Sequence, residues 1–188
     1  AMHIMFDSVD LTQVPSTAGA VAGYVGGAWP TDSHDELRAK FPHAYVLSIA
    51  VNATQDASCL DVEQGDATPA DARPWLERQL GNGKNRPCLY GSQSTMGELA
   101  PLLRGIPRQK YRLWVAAPDG IAFAQRLLNS GFGACQFDWH YLGRDLDASL
   151  CKPGFFTPAE YPFSPPPKNA PPLVQASAAQ VQAATDPS

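Results

Sequence analysis

The stretch "CLDVE" (residues 59–63) carries the two side chains whose spacing most directly suggests chemistry. Residues two apart on a β-strand point to one face, so Asp61 and Glu63 project together while Val62 faces away. Two carboxylates side by side repel, and repulsion raises the pKa of one of them. One group then holds a proton while its partner stays charged, which is the division of labour that glycosidic bond cleavage uses. The same acids have a blander reading, as carboxylates of an acid-rich turn that cap the following helix. Other strand ends favour the first reading. An early apolar run ends in Asp7 and Asp10, and a late one holds Asp145 and Asp147, again two apart. Aromatic residues fall on strands or at their ends: Tyr24, Trp29, Tyr90, Trp114 and Trp139. Such rings stack on the apolar faces of sugars, and these five are the expected substrate contacts.

The elements that must position these residues follow from hydrophobic pattern and punctuation. Strands are expected at 4–10, 20–27, 44–51, 59–63, 86–92, 111–117 and 133–139, with a short one near 145–150. Helices are expected between several of them. Ser33 with Glu36 reads as a capping box. Thr68, Pro69 and Asp71 open a helix that runs to about Leu80 and stops at Gly81. Two more are expected at about 95–104 and 120–129. Strands alternating with helices imply parallel strands under a helical layer, and nearly all-apolar runs imply strands buried on both faces. The expected fold is therefore α/β: a compact (β/α), TIM-barrel-like domain over residues 1–151, with some helices reduced or missing. An open doubly wound sheet is the alternative, but "GYVGG" does not supply the G-x-G-x-x-G of a dinucleotide site. In a barrel the C-terminal strand ends carry the active site, which is where Asp61 and Glu63 would lie.

Composition narrows the function classes. The chain has 188 residues, 44% hydrophobic and 17% charged, which is a globular balance. A net charge of −4, with no basic cluster among the 14 Lys and Arg, argues against a nucleic-acid partner. No apolar run approaches the roughly 18 residues of a membrane span, and no secretory signal is expected at this N-terminus. The four cysteines, Cys59, Cys88, Cys135 and Cys151, form no C-x-x-C pair and have no histidine at ligand spacing. No metal and no cofactor are expected. The thiols read as buried small hydrophobes, with a Cys135–Cys151 disulfide as the alternative. Eight prolines fall between Pro153 and Pro172, and an Ala- and Gln-rich stretch follows. Residues 152–188 therefore read as a strap and then a linker or tail, to which a further domain or an assembly could be attached.

Several motifs in order resemble glycoside hydrolase family 25, the N-acetylmuramidases or lysozymes, and the glycoside-hydrolase-like relatives found in actinobacterial and phage proteins. They are an Asp-bearing first strand, "LDVE", "CLYGS", "RLWVAA", "CQFDW" and "RDLDASL". The resemblance spans about residues 3–151, and Asp-x-Glu on the fourth strand is its most specific element. It implies that Glu63 is the general acid. Asp61 would stabilise the developing positive charge, directly or through the substrate's N-acetyl group. Asp7 or Asp10, and Asp145 or Asp147, would complete an acidic ring. It also implies that one half of the barrel has short helices or none. Peptidoglycan or another polysaccharide becomes the expected partner, in an extracellular, cell-wall or phage setting. A non-catalytic glycan-binding module on the same barrel is the competing reading. The chain departs from the family in "MFDSVDLTQVP", where Gly-Ile-Asp followed by Ser and Trp is usual. It departs again at Asn52, where a Tyr-rich segment is usual, and in "WVAAPDG", which lacks the usual Tyr. All three touch the expected sugar cleft.

Overall fold

The computed structural model describes residues 1–25 and 34–174. Eight apolar runs form eight strands: β1 (His3–Asp7), β2 (Ala20–Val25), β3 (Tyr45–Ala50), β4 (Cys59–Asp61), β5 (Cys88–Ser92), β6 (Arg112–Ala116), β7 (Ala134–Asp138) and β8 (Asp147–Cys151). They close into one barrel in chain order. Alternation then sorts the side chains. Met5, Ala22, Leu47, Ile49, Cys88 and Trp114 fill the interior. Ile4, Phe6, Val46, Leu60, Leu89 and Leu150 pack outward in the second layer. The strands read as continuous apolar runs because both faces are covered.

Among the described residues, four α-helices cover the wall: α1 (His34–Lys40), α2 (Pro69–Gly81), α3 (Gln93–Leu102) and α4 (Ile121–Asn129). The start of α2 matches its sequence signal. Thr68 is the N-cap, Pro69 opens the helix, and Asp71 Oδ2 accepts from the Thr68 backbone N–H at 2.8 Å. Ser33 lies outside the described residues, so the expected box with Glu36 does too, as do residues 26–27 of the second run. Two glycines permit close packing. A Cβ on Gly23 would meet Leu37 of α1 at 2.6 Å, and one on Gly91 would meet the Val62 carbonyl oxygen at 2.9 Å. No α-helix links β1 to β2, β3 to β4, or β7 to β8; short 3-10 turns at Leu11–Gln13 and Tyr141–Gly143 stand in the first and the last.

The all-parallel expectation needs one correction. Strands β1 to β7 are parallel to their sequence neighbours, but β8 runs antiparallel to both β7 and β1. The 139–146 connection stays at the end of the barrel where β7 finishes instead of crossing back, whereas the equally short 51–58 segment returns the chain parallel, so length alone does not set the direction. The start of β8 therefore lies at the end of the barrel where the other strands finish.

Past β8 the chain crosses the opposite end. Phe155 and Phe156 are buried in the interior cluster. Phe156 stacks on Tyr45 with ring centroids 4.6 Å apart. Arg112, at the first position of β6, takes both carboxylate oxygens of Glu160 at 2.7 and 2.8 Å, and both residues are buried. The strap up to Glu160 is thus the barrel's floor. All four cysteines are free and buried. Cys135 belongs to the outer layer and Cys151 to the interior, so the alternative Cys135–Cys151 bridge is ruled out by facing.

Candidate active site

Three strand ends bring carboxylates to one mouth. Asp7 is the last residue of β1, Asp61 is the last of β4 with Glu63 just beyond, and Asp147 is the first of β8. Asp7 and Asp147 are direct cross-strand partners, which places their side chains together on the inner face. Asp7 and Asp61 are 2% exposed, Asp147 is half-buried and Glu63 faces the opening.

Their protonation follows from burial and crowding. Burial raises Asp61, and the charges of Glu63, Asp66 and Asp7 add to it, up to about 9. Asp7 is pushed well above the carboxylate range by burial, then by Asp147 and Glu63. Asp147 is raised to about 6 by burial and then Asp145. Glu63 is raised by burial and by Asp66, while hydrogen bonds with Tyr90 and Asp61 pull back. Near neutral pH the ring therefore holds protons that ordinary carboxylates would have lost. Because these groups interact strongly, the protons belong to the set rather than to one member. Asp61 Oδ1 is buried and has no hydrogen-bond partner among the described residues.

One residue that the sequence reading did not single out ties the ring together. Gln136, buried on β7, points its Nε2 at Asp147 Oδ2 (3.3 Å) and at both carboxylate oxygens of Asp7 (3.5 Å). Its Oε1 accepts from the Tyr90 hydroxyl at 3.0 Å and from Trp139 Nε1 at 2.8 Å. The signal was a polar side chain two residues before Asp138 in the otherwise apolar "ACQFD". Strand alternation puts Gln136 on the inner face, whereas a register irregularity between Gln136 and Asp138 breaks the alternation before Asp138.

The expected residues divide. Asp10 lies outside the ring. It caps the 3-10 turn Leu11–Gln13, where Oδ1 accepts from the Thr12 N–H at 3.0 Å and from the Thr12 hydroxyl at 2.6 Å; these bonds hold its pKa low. Asp145 is exposed in the loop before β8, and its backbone oxygen accepts from Ser8 Oγ at 2.9 Å. Trp114 is fully buried, bonded to Ser149 Oγ at 2.9 Å and packed on Tyr90. It is core and cannot stack on a sugar. Tyr90 is buried too, with its hydroxyl turned to the ring. Tyr24 projects inward from β2; burial and then the charges of Asp7 and Asp61 push its pKa up. Trp139 is 49% exposed and sits beside the ring of acids, held there by its bond to Gln136. Trp29 lies outside the described residues.

From Glu63 a groove of about 730 Å³ runs outward between the β4–α2 turn and the start of α3, past Ser92, Thr95 and Glu98. No family model matches this chain, and neither does any curated protein or solved structure.

Proposed function

We propose that this protein is a glycoside hydrolase of the TIM-barrel class that cleaves peptidoglycan glycan strands in the manner of a muramidase. The observation that carries the reading is the convergence of Asp7, Asp61, Glu63 and Asp147 on one mouth, with raised pKa values. Clustering acids costs stability, and a purely structural use for them gains nothing from it. Glu63 faces the opening and is the general acid. Carboxylate oxygens of Asp61 and Glu63 lie within 4.8 Å of each other, so a proton held on Asp61 can replace the one that Glu63 delivers to the leaving oxygen. Asp61 then carries the charge that steadies the developing oxocarbenium ion. Their oxygens lie within 4.8 Å, less than the roughly 6.5–9.5 Å that an inverting pair keeps for its water. The pair is therefore read as serving retention or assistance by the substrate's own N-acetyl group. Trp139 supplies the stacking face, and the groove beyond Glu63 has room for a continuing polymer.

The test is release of reducing ends from purified cell walls by the wild-type chain and by Glu63→Gln. The variant is nearly isosteric and lacks the acid proton. General acid catalysis contributes about 100- to 10,000-fold, so a loss of that order is expected with the melting temperature unchanged. Equal rates for the two chains would remove Glu63 from its role. Saturable glycan binding without any release by the wild type would make the barrel a binding module instead.

A further inference from the structure

The turn after β4 brings a third acid against the pair. The Asp66 N–H donates to the Glu63 carbonyl oxygen at 3.0 Å, and the Ala67 N–H donates to the Asp61 carbonyl oxygen at 3.3 Å. The chain therefore doubles back, and carboxylate oxygens of Asp61, Glu63 and Asp66 all lie within 4.8 Å of one another. The charges acting on Asp61 are those of Glu63, Asp66 and Asp7, and the charge acting on Glu63 is that of Asp66; all of them are acids. A cluster of exposed acids on a turn is commonplace and by itself indicates no ligand. This one differs in its inner member. Asp61 is 2% exposed, yet its Oδ1 has no hydrogen-bond partner among the described residues. A buried carboxylate oxygen without a donor costs free energy unless a proton or a cation meets it, so an ion bound here replaces the proton that Asp61 otherwise holds.

We propose that Asp61, Glu63 and Asp66 form a calcium-class cation site at the barrel mouth, and that an ion bound there shuts off glycan cleavage. The donor set is all carboxylate, which suits hard cations and offers no nitrogen or sulfur to zinc or copper. Calcium–oxygen bonds of about 2.3–2.6 Å let one ion span oxygens up to 4.8 Å apart without backbone movement. Magnesium bonds of about 2.0–2.1 Å would require the three groups to close in. Protein supplies three ligands and water the rest, with the turn open to solvent on the Glu63 and Asp66 side. The buried Asp61 fixes the ion's inner edge. An ion held by Glu63 occupies the oxygen that must carry a proton to the leaving group, so occupancy and cleavage exclude each other. This exclusion rests on the hydrolase reading, whereas the binding does not.

Calorimetric titration of calcium chloride into the wild-type chain and into Asp66→Asn, at fixed ionic strength, tests the site. One saturable ion per chain is expected, weakened at least ten-fold in the variant. Extracellular calcium modules bind at roughly 0.1–1 mM. Absence of saturable heat up to about 10 mM, or equal affinity in Asp66→Asn, would overturn the site. Manganese relaxation of amide signals gives a second readout that needs no variant. Broadening centred on residues 61–67 supports the site, and broadening centred on Asp145 and Asp147 overturns it. Cell-wall hydrolysis with and without saturating calcium then separates the two readings. Suppressed release supports the exclusion, and undiminished release by a calcium-loaded chain overturns it. A chain that binds calcium but releases nothing under either condition upholds the cation site and removes the hydrolase reading.

Discussion

At the scale of single residues, the ring is an arrangement of acids that hold protons above the ordinary carboxylate range. Asp61 gives the sharpest consequence. Its pKa is raised to about 9 in the folded chain, against roughly 3.9 in an unfolded one. Between those values the folded state holds a proton that the unfolded state has released. The contribution to stability is complete below about pH 4 and is lost as pH rises towards 9. Asp61→Asn removes the titration while keeping the shape. The variant should therefore gain on the wild type as pH rises, by about 1.4 kcal/mol per pH unit and so about 4 kcal/mol between pH 5 and pH 8, or roughly 8–16 °C in melting temperature at this chain length. Melting curves at pH 5 and pH 8 check it, and a difference that stays flat between them would mean that Asp61 ionises normally. The pairing of Asp61 with Glu63 was legible in the sequence because strand alternation is rigid. The choice between Asp7 and Asp10 was not, although a local cue existed: Asp10 stands two residues before Thr12, the spacing of a side chain that caps its own turn. Gln136 was missed because a lone amide in a strand advertises no chemistry until its neighbours are known.

At the scale of elements, depth along a strand decides what an aromatic residue can do. Trp114 is the third residue of β6, and Trp139 follows the last residue of β7. The first is fully buried and the second half-exposed. Sequence position marked both as candidates because the number of residues between a strand's start and the mouth was not fixed by pattern alone. The structure separates them, and the separation is measurable. Trp114→Ala empties the interior and orphans Ser149, which should cost about 3–5 kcal/mol of stability. Trp139→Ala should leave the melting temperature within about 2 °C and weaken binding to a soluble peptidoglycan fragment about ten-fold, the loss of one stacking face. Affinity measured beside melting for the two variants tests the assignment, and a reversed pattern would exchange their roles. Orientation of β8 follows the same logic. Its apolar run was readable, but its direction was not, because the 139–146 connection is no shorter than the 51–58 segment that returns parallel. That direction is what sets Asp147 opposite Asp7.

At the scale of the whole molecule, the composition change near Cys151 marks the end of the strands but not the end of the fold. The proline-rich stretch read as a strap because proline cannot continue a helix or a central strand. Its aromatic residues carried the remaining information. Phe155 and Phe156 close the floor, and Glu160 neutralises Arg112 there. Further along, contacts are thinner. Arg38 Nη2 reaches the Ala159 carbonyl oxygen at 3.4 Å and its guanidinium covers the Phe163 ring at 4.7 Å, and His43 meets the Ser164 carbonyl oxygen at 3.1 Å. Beyond that, Val174 donates to the Thr17 carbonyl oxygen at 2.8 Å, and residues 175–188 lie outside the described chain. Two truncations distinguish floor from tail. A chain ending at Ser164 keeps the buried ion pair and both phenylalanines, and should melt cooperatively within about 5 °C of the full chain. A chain ending at Lys152 exposes the interior and strips Arg112 of Glu160 and of the Phe155 ring that cover it. Loss of two buried phenylalanines costs about 3–5 kcal/mol each, which is comparable to the whole stability of a domain, about 5–15 kcal/mol. The shorter chain should therefore show no cooperative transition by circular dichroism, and a melt close to that of the 1–164 chain would demote the strap to a linker.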